Sequence, residues 1–590
     1  MVRGIGVIAA LLLAGCATPA PVSPPEQTVE AARAPDFGDH EFDILIRGGT
    51  VYDGSGRAPY VADIGVKDGL ISAVYPKLKG DAAVVIDARG KAVSPGFINM
   101  LSWATDNLLV DGRGLSDLKQ GVTLEVMGEG GSMGPYTDAM KARELTRQGD
   151  LKYDIDWTTL DEYLRRLERQ GVSLNVASMV GAGTVREYVL GEGDVDPTPE
   201  QLEAMRAVVH GAMEDGALGV GSALIYAPGV YAETDELAAL AEEAGRCGGI
   251  YTSHLRYESD RLLEGVDELI EISRRSGTPA EIYHLKAAGK ANWGKLDAVI
   301  ARIEAARARG LRITADMYTY TAGSTGLDAA MPPWVQAGGR EAWIARLKDP
   351  ATRARVIAEM RDPAAPYENL YRHAGAEGTL LVGFKTPALK PLTGKTLAEV
   401  AAMRGVSPED AAIDLVIEDG TRVQVVYFLM SEDNVRRQTT LPWMSFASDA
   451  SAQAPEGAVL LSSTHPRAYG NFARLLGKYV REDKALSLAE AVRKLTSLPA
   501  HNLGLKERGR LMPGWHADIV VFDPDDIADH ATYESPRQFA VGVEQVIVNG
   551  RLALKDGEVT TDRPGQVVRG RAWTGWEDGG CRSSPADWRW

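Results

Sequence analysis

Both ends of the chain alternate apolar and polar residues over short stretches, a pattern typical of β-strands. The alternating stretches are Phe42–Val51, 63–66, 70–74 and 84–87 near the start and 517–523 and Val543–Val548 towards the end. Gly or Lys-Asp turns separate the early stretches. The chain is therefore predicted to begin with a small β module and to end with strands of the same kind.

The roughly 400 residues between these ends alternate short apolar strands with amphipathic helices. The predicted strands are 123–127, 174–180, Ile250–His254, 280–284, 312–318 and 443–447, and the clearest predicted helices are 198–215 and Leu262–Ser276. Strand–helix alternation over this length favours an α/β fold with a closed parallel barrel. In such a barrel the active site lies at the carboxyl ends of the strands.

The amino terminus, MVRGIGVIAALLLAGC, resembles a bacterial lipoprotein signal peptide. Arg3 gives it a positive start, and its apolar residues 5–13 are too few to span a hydrocarbon core of about 30 Å. The Leu-Ala-Gly-Cys run places Cys16 where that class is lipidated; a plain secretory signal with a chance cysteine is the alternative.

Residues 17–40 are rich in Pro and Ala and are predicted to form a tether. Ala17, rather than an aspartate, directly follows the cysteine, as in lipoproteins that are sorted to the outer membrane of Gram-negative bacteria. The expected location is therefore the periplasmic side of a bacterial membrane, with the chain lipid-anchored and the outer membrane favoured.

Composition narrows the function further. The 590 residues allow two to four domains, or one large barrel with an appendage. Lys and Arg total 64 against 81 Asp and Glu, so the formal net charge of −17 argues against a nucleic-acid partner, which would require a basic face. Three cysteines exclude a disulfide framework and a Cys-rich zinc module, and Cys247 is expected to be a small buried thiol.

Several longer motifs occur together and in order. FDILIRGGTVYDG, DARGKAVSPGFIN and RGRLMPGWHADIVVFDPDDI resemble the opening and closing segments of the amidohydrolase superfamily. QGVTLEVMGEGG, YTSHLRYES, IYHLKAAGKANWGK, DMYTYTAGST, FASDAS and HPRAYGNFARLLGKYV resemble its D-aminoacylase (N-acyl-D-amino-acid deacylase) branch. The resemblance implies a (β/α)8 barrel flanked by a small β-sandwich built from both chain ends, and metal-assisted hydrolysis of an amide.

Together with the pattern of the amino terminus, this resemblance divides the chain into six segments. They are a lipoprotein signal peptide (1–16), a tether (17–40), the first part of the β-sandwich (41–94), the metal-dependent barrel (95–500), the second part of the β-sandwich (501–565) and a C-terminal tail (566–590).

The sequence departs from the superfamily pattern at its first barrel strand. Where an Asp-x-His-x-His run is usual, this chain has Asn99-Met100-Leu101-Ser102-Trp103. Neither Leu101 nor Trp103 offers a lone pair suited to a metal cation, so a metal site that depends on that pair is absent. Gly130 stands where the branch places a cysteine ligand, and Ala182 where it tends to place a histidine.

Three metal-ligand candidates remain. His254 and His284 end predicted consecutive strands, so both are expected at adjacent strand ends facing one cavity. Glu129 directly precedes Gly130, and a carboxylate can replace a thiolate on zinc. Together they form a set suited to one divalent metal ion, with zinc favoured. The alternatives are hydrogen-bonded core histidines and, for Glu129, a buried salt bridge.

Asp449 follows a predicted strand in the run Phe446-Ala447-Ser448-Asp449. It matches the aspartate that closes the last barrel strand of the superfamily. The resemblance implies that it takes a proton from the attacking water and later passes it to the leaving amine. A helix N-cap is the alternative role.

Substrate recognition requires cations and hydroxyl donors for an α-carboxylate. Arg467 matches the carboxylate clamp of the branch, and Lys286, two residues after His284, is a second cation on the same strand face. Tyr226, Tyr318 and Ser324 match hydroxyl positions around the substrate. Surface ion pairs and structural hydrogen bonds are the alternative roles of these residues.

The predicted function is hydrolysis of N-acyl-D-amino acids, or related D-residue amides, to a carboxylate and a free amino acid. The expected partners are a small N-acyl amino acid or peptide-like substrate, and a membrane through the lipid anchor. Two alternatives stay open: a non-catalytic periplasmic binding lipoprotein on a degenerate barrel, and a hydrolase of the same fold that acts on dipeptides or cyclic amides.

Overall fold

The computed structural model describes Met1 and residues 40–588. The predicted signal peptide with Cys16 and nearly all of the predicted tether lie outside the described residues. Within the described part of the chain, no helix combines the length and the apolar character that a membrane span requires.

The elements are numbered in chain order. The β-strands are β1 Phe42–Val51, β2 Tyr60–Lys67, β3 Leu70–Tyr75, β4 Ala82–Asp87, β5 Ala92–Pro95, β6 Phe97–Asn99, β7 Val122–Met127, β8 Asn175–Ser178, β9 Val180–Gly181, β10 Gly219–Ala223, β11 Ile250–His254, β12 Ala280–Ile282, β13 Ile313–Met317, β14 Ala322–Gly326, β15 Thr379–Gly383, β16 Gln424–Phe428, β17 Met444–Phe446, β18 Ile519–Phe522, β19 Val543–Val548, β20 Arg551–Lys555 and β21 Glu558–Val559. The α-helices are α1 Thr105–Val110, α2 Leu115–Leu118, α3 Asp138–Arg147, α4 Leu160–Gln170, α5 Ala182–Leu190, α6 Pro199–Glu214, α7 Thr234–Arg246, α8 Leu262–Ser276, α9 Leu296–Ala308, α10 Pro333–Gln336, α11 Arg340–Leu347, α12 Pro350–Arg361, α13 Leu370–Ala374, α14 Leu397–Arg404, α15 Pro408–Asp419, α16 Glu432–Thr439, α17 Arg467–Arg474, α18 Leu488–Leu495 and α19 Ser497–Asn502.

Strands from both chain ends share one sheet. Among residues 40–588 this sheet has nine strands, in the order β21-β20-β19-β18-β5-β1-β2-β3, with β4 paired to β1. The two ends meet where β18 pairs antiparallel with β5, Val521 opposite Val93. Alternating apolar residues of both ends, such as Ile44, Ile64 and Ile519, fill a common core. The predicted pattern of short terminal strands is confirmed.

The middle of the chain supplies parallel strands joined by helices. In the described range they form a three-stranded sheet, β6-β7-β8, and a six-stranded sheet, β17-β13-β12-β11-β10-β9. Met179 N donates to Met127 O at the junction of β8 with β9, and Met100 N donates to Phe446 O between the segments of β6 and β17. The carboxyl ends of these strands therefore face the same region, which is where the predicted site residues lie.

The two clearest predicted helices, α6 and α8, have capping residues that explain where α6 begins and where α8 ends. Thr198 caps α6 through a capping box with Gln201, and Pro199 occupies the first helical position, where a missing N–H costs nothing. Gly277 ends α8 with φ +69°, a conformation that glycine adopts without strain.

A small antiparallel sheet, β14-β16-β15, was not predicted from the sequence. It follows the parallel strand β13, and β16 pairs with β14 over Gln424–Phe428. Ser324 and Gln424 from this sheet line the same cavity as the parallel strand ends. The sheet therefore forms part of the site rather than of the strand–helix framework.

The C-terminal tail is fixed to the body by a disulfide between Cys247 and Cys581. The expectation that Cys247 is a free buried thiol was therefore wrong. Cys247 lies directly after α7, and the Trp588 indole donates to the Arg246 carbonyl at 3.0 Å. Gly248 is required beneath that ring, because a Cβ there would lie 2.6 Å from the indole. The bond joins residues 334 positions apart, a separation that sequence spacing alone does not reveal.

Reduction of this disulfide is expected to lower the free energy of unfolding by about 2–4 kcal/mol, because the unfolded chain gains conformational freedom. Thermal unfolding with and without reductant measures the effect. A Cys247→Ser/Cys581→Ser double variant is the control and should lose its response to reductant. An unchanged unfolding temperature of the reduced wild-type protein would contradict the prediction.

Candidate metal centre and active site

One cavity of about 670 Å³ collects the predicted site residues. It opens at the carboxyl ends of the parallel strands. The predicted residues that line it are Glu129, Tyr226, His254, His284, Lys286, Tyr318, Ser324, Asp449 and Arg467. The structure thus brings together every candidate that lies within residues 40–588.

The two histidines leave neighbouring strands. His254 is the last residue of β11, and His284 lies two residues beyond β12, which pairs parallel with β11. The chain turns at His284, whose φ is +36°, and its backbone N donates to Asp316 Oδ1 at 2.7 Å. The two rings consequently lie edge to face, with centroids 4.5 Å apart.

Glu129 completes this pair from the turn after β7. Its Oε1 lies 3.1 Å from His254 Nδ1 and 3.0 Å from His284 Nε2. Gly130 follows with φ +65°, and a Cβ at that position would lie 2.6 Å from the Cβ of Ala223. The backbone therefore turns at position 130 and leaves the carboxylate of Glu129 to face the imidazoles.

The donor set fits a divalent cation. The ligand atoms of Glu129, His254 and His284 lie within 4.8 Å of one another, and all three residues are buried. Burial tends to raise the pKa of Glu129, but the imidazoles hold it well below its usual value. Burial and Lys286 lower the pKa of His284, yet the carboxylates of Asp449 and Glu129 raise it to about 10. One carboxylate and two imidazoles form a common zinc-binding set.

Glu258 is a site residue that the sequence analysis missed. Its Oε2 lies 3.4 Å from His254 Nε2, and its Oε1 lies 3.2 Å from His284 Nδ1. Each imidazole therefore has Glu129 at one nitrogen and Glu258 at the other. A carboxylate in this position contributes electrostatically to the orientation of the rings, and Lys286 Nζ is the hydrogen-bond partner of His284 Nδ1. The only sequence signal is its position four residues after His254 in the YTSHLRYES motif.

Lys286 lies in the cavity, but its ammonium contacts protein groups. Its Nζ donates to Glu258 Oε1 at 2.6 Å and lies 2.8 Å from His284 Nδ1. Burial tends to raise the pKa of Glu258, but His254 and Lys286 hold it well below its usual value. In this geometry Lys286 neutralises a buried carboxylate beside the histidines, and its role in binding a substrate carboxylate stays a prediction.

Asp449 is held at both carboxylate oxygens. The indole Nε1 of Trp103 donates to Oδ1 at 3.1 Å, and Nη1 of Arg467 lies 2.8 Å from Oδ2. Asp449 has φ +47°, so its side chain leaves the backbone at a constrained turn. The Arg467 guanidinium also lies 4.5 Å from the centre of the Tyr318 ring. The predicted base and the predicted carboxylate clamp are thus direct neighbours.

The remaining residues predicted to bind substrate, Tyr226 and Ser324, differ in the contacts that they make within the protein. The Tyr226 ring lies 5.1 Å from that of His254, one of the candidate metal ligands. The Ser324 hydroxyl donates to the Val425 carbonyl at 2.9 Å, so its hydrogen is used within the protein. Arg422, which was not predicted, lies 4.6 Å from the centre of the Tyr226 ring and pairs with Asp328 at 2.7 Å.

Leu101 and Trp103, which stand where the sequence resemblance places imidazoles, differ in their surroundings. Leu101 is fully buried in a cluster with Ile98, Leu124 and Ala447. Trp103 lines the cavity and is 40% exposed. Neither residue adds a ligand atom to the Glu129–His254–His284 set.

The buried carboxyl of Glu281, away from the cavity, makes the free energy of unfolding depend on pH. Burial raises the pKa of Glu281, on β12, to about 7. Hydrogen bonds from Thr314 Oγ1 (2.6 Å) and Asn502 Nδ2 (3.0 Å) act in the opposite direction but do not cancel it. Between about pH 4.5 and 7 the native state therefore binds more protons at this group than the unfolded chain does.

The contribution of Glu281 to the free energy of unfolding is expected to fall as the pH rises from about 4.5 to 7, because a raised carboxyl pKa favours the native state only while the group is protonated. Denaturant unfolding across this range measures the slope. Glu281→Gln should flatten it, whereas Glu304→Gln, at an exposed glutamate of α9, should leave it unchanged. Equal slopes in both variants would contradict the assignment.

Comparison with known proteins gives consistent matches over most of the chain. Residues 84–553 match the amidohydrolase family. N-acyl-D-glutamate deacylase of Alcaligenes xylosoxydans xylosoxydans is 33% identical over 532 residues, which cover 90% of this chain and 97% of that protein. N-acyl-D-aspartate deacylase of the same organism is 33% identical over 536 residues, covering 90% and 96%.

Solved structures agree with these relatives. The crystal structure of a D-aminoacylase is 31% identical with a TM-score of 0.74, covering 90% of this chain and 100% of that one. N-acyl-D-glutamate deacylase from Bordetella bronchiseptica, complexed with zinc and a phosphonate inhibitor that mimics the tetrahedral intermediate, is 32% identical with a TM-score of 0.73, covering 90% and 99%.

Proposed function

This chain belongs to the amidohydrolase family and to its D-aminoacylase branch, as its motifs predicted, and from that premise we propose that it is a metal-dependent N-acyl-D-amino-acid deacylase. It hydrolyses the amide to a carboxylate and a free amino acid. One observation carries the proposal: a Glu-His-His donor set, the carboxylate of Asp449 and the guanidinium of Arg467 line the same cavity.

Glu129, His254 and His284 would hold one divalent cation, and zinc matches this donor set best. A zinc ion bound there supplies Lewis acidity, which polarises an amide carbonyl and lowers the pKa of a water towards about 7. Glu258 places a negative charge beside the second ring nitrogens of both histidines, 3.4 Å from His254 Nε2 and 3.2 Å from His284 Nδ1. Lys286 balances the charge of Glu258 within this buried group.

Asp449 is the proposed general base and acid, and Arg467 is the proposed binding residue for the substrate carboxylate. Asp449 accepts a proton from the attacking water and returns it to the leaving amine, a role that a carboxylate fulfils in the cavity of a hydrolase. Arg467 binds the α-carboxylate of the substrate, for which a planar guanidinium offers two parallel donors. Because Arg467 lies 2.8 Å from Asp449, a bound carboxylate places the scissile amide next to the base.

The finer fold assignment rests on the strand contacts. We propose that the parallel strands close into a (β/α)8 barrel, with the hydrogen bond from Met100 N to Phe446 O joining its first and last strands. The strands of the two chain ends then form the accompanying β-sandwich. The domain boundaries given by the resemblance stay predictions.

We also propose that the chain is a lipid-anchored protein on the periplasmic side of a bacterial membrane, with Cys16 as the lipidated residue. The Cys247–Cys581 disulfide supports an oxidising compartment, since such bonds persist outside the cytosol. The lipoprotein-like amino terminus supports the anchor.

A substrate panel tests the function. N-acetyl derivatives of the D- and L-forms of several amino acids are assayed beside dipeptides, and the metal content of the purified protein is measured. We expect about one metal ion per chain and at least about tenfold higher kcat/KM for the D-forms. Hydrolysis without a preference for D-forms would remove the substrate class. Substoichiometric metal with no turnover of any compound would favour a binding protein.

A further inference from the structure

The segment 99–103 and the turn that carries Asp449 are joined along their length. Asn99, Leu101 and Trp103 each contact the turn, two residues apart on one edge of the segment. The hydrogen bonds are Ser448 N to Asn99 Oδ1 (2.8 Å), Asp449 N to Leu101 O (3.0 Å), Trp103 N to Ala450 O (3.0 Å) and Ser451 Oγ to Trp103 O (2.9 Å). The backbone position of Asp449 is therefore set by this segment.

The same segment also reaches the carboxylate itself. Trp103 Nε1 donates to Asp449 Oδ1 at 3.1 Å, while Arg467 contacts Oδ2. These two contacts differ in whether the contacting residue is also proposed to bind the substrate. Arg467 is also the residue that receives the substrate carboxylate, so its contact with Asp449 is shared during binding. No substrate contact is proposed for the indole N–H, which donates to Oδ1.

An indole is suited to hold a base. Its N–H donates but cannot accept a proton, so it does not compete with Asp449 for the proton of the attacking water. The hydrogen bond is charge-assisted and fixes the rotation of a carboxylate that leaves a turn with φ +47°. Without it, the contact of Oδ2 with Arg467 is the side-chain contact that still holds this carboxylate in the described part of the chain.

We propose that Trp103 is a positioning residue that keeps the Asp449 carboxylate oriented for proton transfer through its indole N–H. This inference rests on the proposed deacylase function. It assigns a role to a residue that stands where a metal ligand is usual and that contributes no ligand atom.

The test removes the N–H donor and keeps an aromatic ring at position 103. Trp103→Phe removes the N–H, and replacement of Trp103 by 3-benzothienylalanine removes it while keeping the size of the bicyclic ring. Both variants should lower kcat by about 10- to 100-fold, the effect of losing one hydrogen bond to a charged group. KM and metal content should change by less than about twofold. The matched control is Trp576→Phe, because Trp576 is similarly exposed (37%) and its Nε1 donates to Gly570 O at 3.0 Å, outside the cavity.

Two results would overturn the proposal: kcat within twofold of wild type in both variants, or a raised KM with unchanged kcat, which would make Trp103 a substrate contact. A crystal structure of Trp103→Phe gives a readout independent of activity. The carboxylate of Asp449 should be rotated in it, and an unrotated carboxylate would refute the proposal even if the wild-type protein hydrolysed none of the substrates tested. Inactive wild-type protein would refute the deacylase function instead.

Discussion

Asp449→Asn is expected to lower kcat by about 10²- to 10⁴-fold while the metal stays bound, because an amide cannot accept the proton of the attacking water. Asparagine keeps the shape of the side chain and can still receive the hydrogen bond from Trp103. Arg467 loses its charged partner but keeps the guanidinium proposed to bind the substrate carboxylate. The loss should therefore appear in kcat rather than in KM. Steady-state kinetics and metal analysis of the purified variant measure both.

Asp529→Asn is the control for this substitution. Asp529 has a similar side-chain exposure, 13% against 11% for Asp449, and it too pairs with an arginine, Arg474, at 3.2 Å. It also accepts a hydrogen bond from Tyr320 at 3.0 Å and does not line the cavity. Its replacement should leave kcat within about twofold of wild type. Wild-type turnover in Asp449→Asn would show that the base lies elsewhere.

Glu129→Gln is expected to lower the metal content and to reduce kcat/KM by at least about 10³-fold, because the metal supplies several kcal/mol of transition-state stabilisation. The carboxylate is the anionic member of the Glu129–His254–His284 set, and an amide oxygen is a much weaker ligand. Metal per chain is measured after dialysis, and activity is measured before and after addition of zinc. Partial recovery at high zinc concentration is expected, since the two imidazoles remain.

A second buried glutamate provides the comparison. Glu243 is as buried as Glu129, at 4% exposed, and its Oε1 lies 2.8 Å from His210 Nδ1, yet it lies outside the cavity. Glu243→Gln should keep one metal per chain. Full metal content in Glu129→Gln, or equal metal loss in both variants, would contradict the assignment of Glu129 as a ligand.

The sequence was most informative where a function-bearing residue ends a strand. His254 and His284 could be placed together because the ends of neighbouring parallel strands meet in space, and the structure puts their rings 4.5 Å apart. The strand predicted at 280–284 is shorter than expected, since the positive φ of His284 takes the chain out of the extended conformation. That turn directs the ring towards Glu129 and has no sequence pattern of its own.

Other features depend on contacts that no local pattern encodes. Glu258 sits in a loop, and its importance follows only from its distance to two histidines and Lys286. Strand β14 of the antiparallel sheet was missed because Ala322–Gly326 consists of small residues, two of them glycines, and lacks apolar alternation. The Cys247–Cys581 pair was missed because the tail carries no regular pattern that would place it against α7.

Glu258 has a consequence for how this centre can change. One carboxyl group lies beside both candidate ligand histidines, so a substitution at position 258 is expected to affect both rings at once. For redesign towards another cation, a substitution at position 258 would change the surroundings of both candidate ligand histidines while replacing neither.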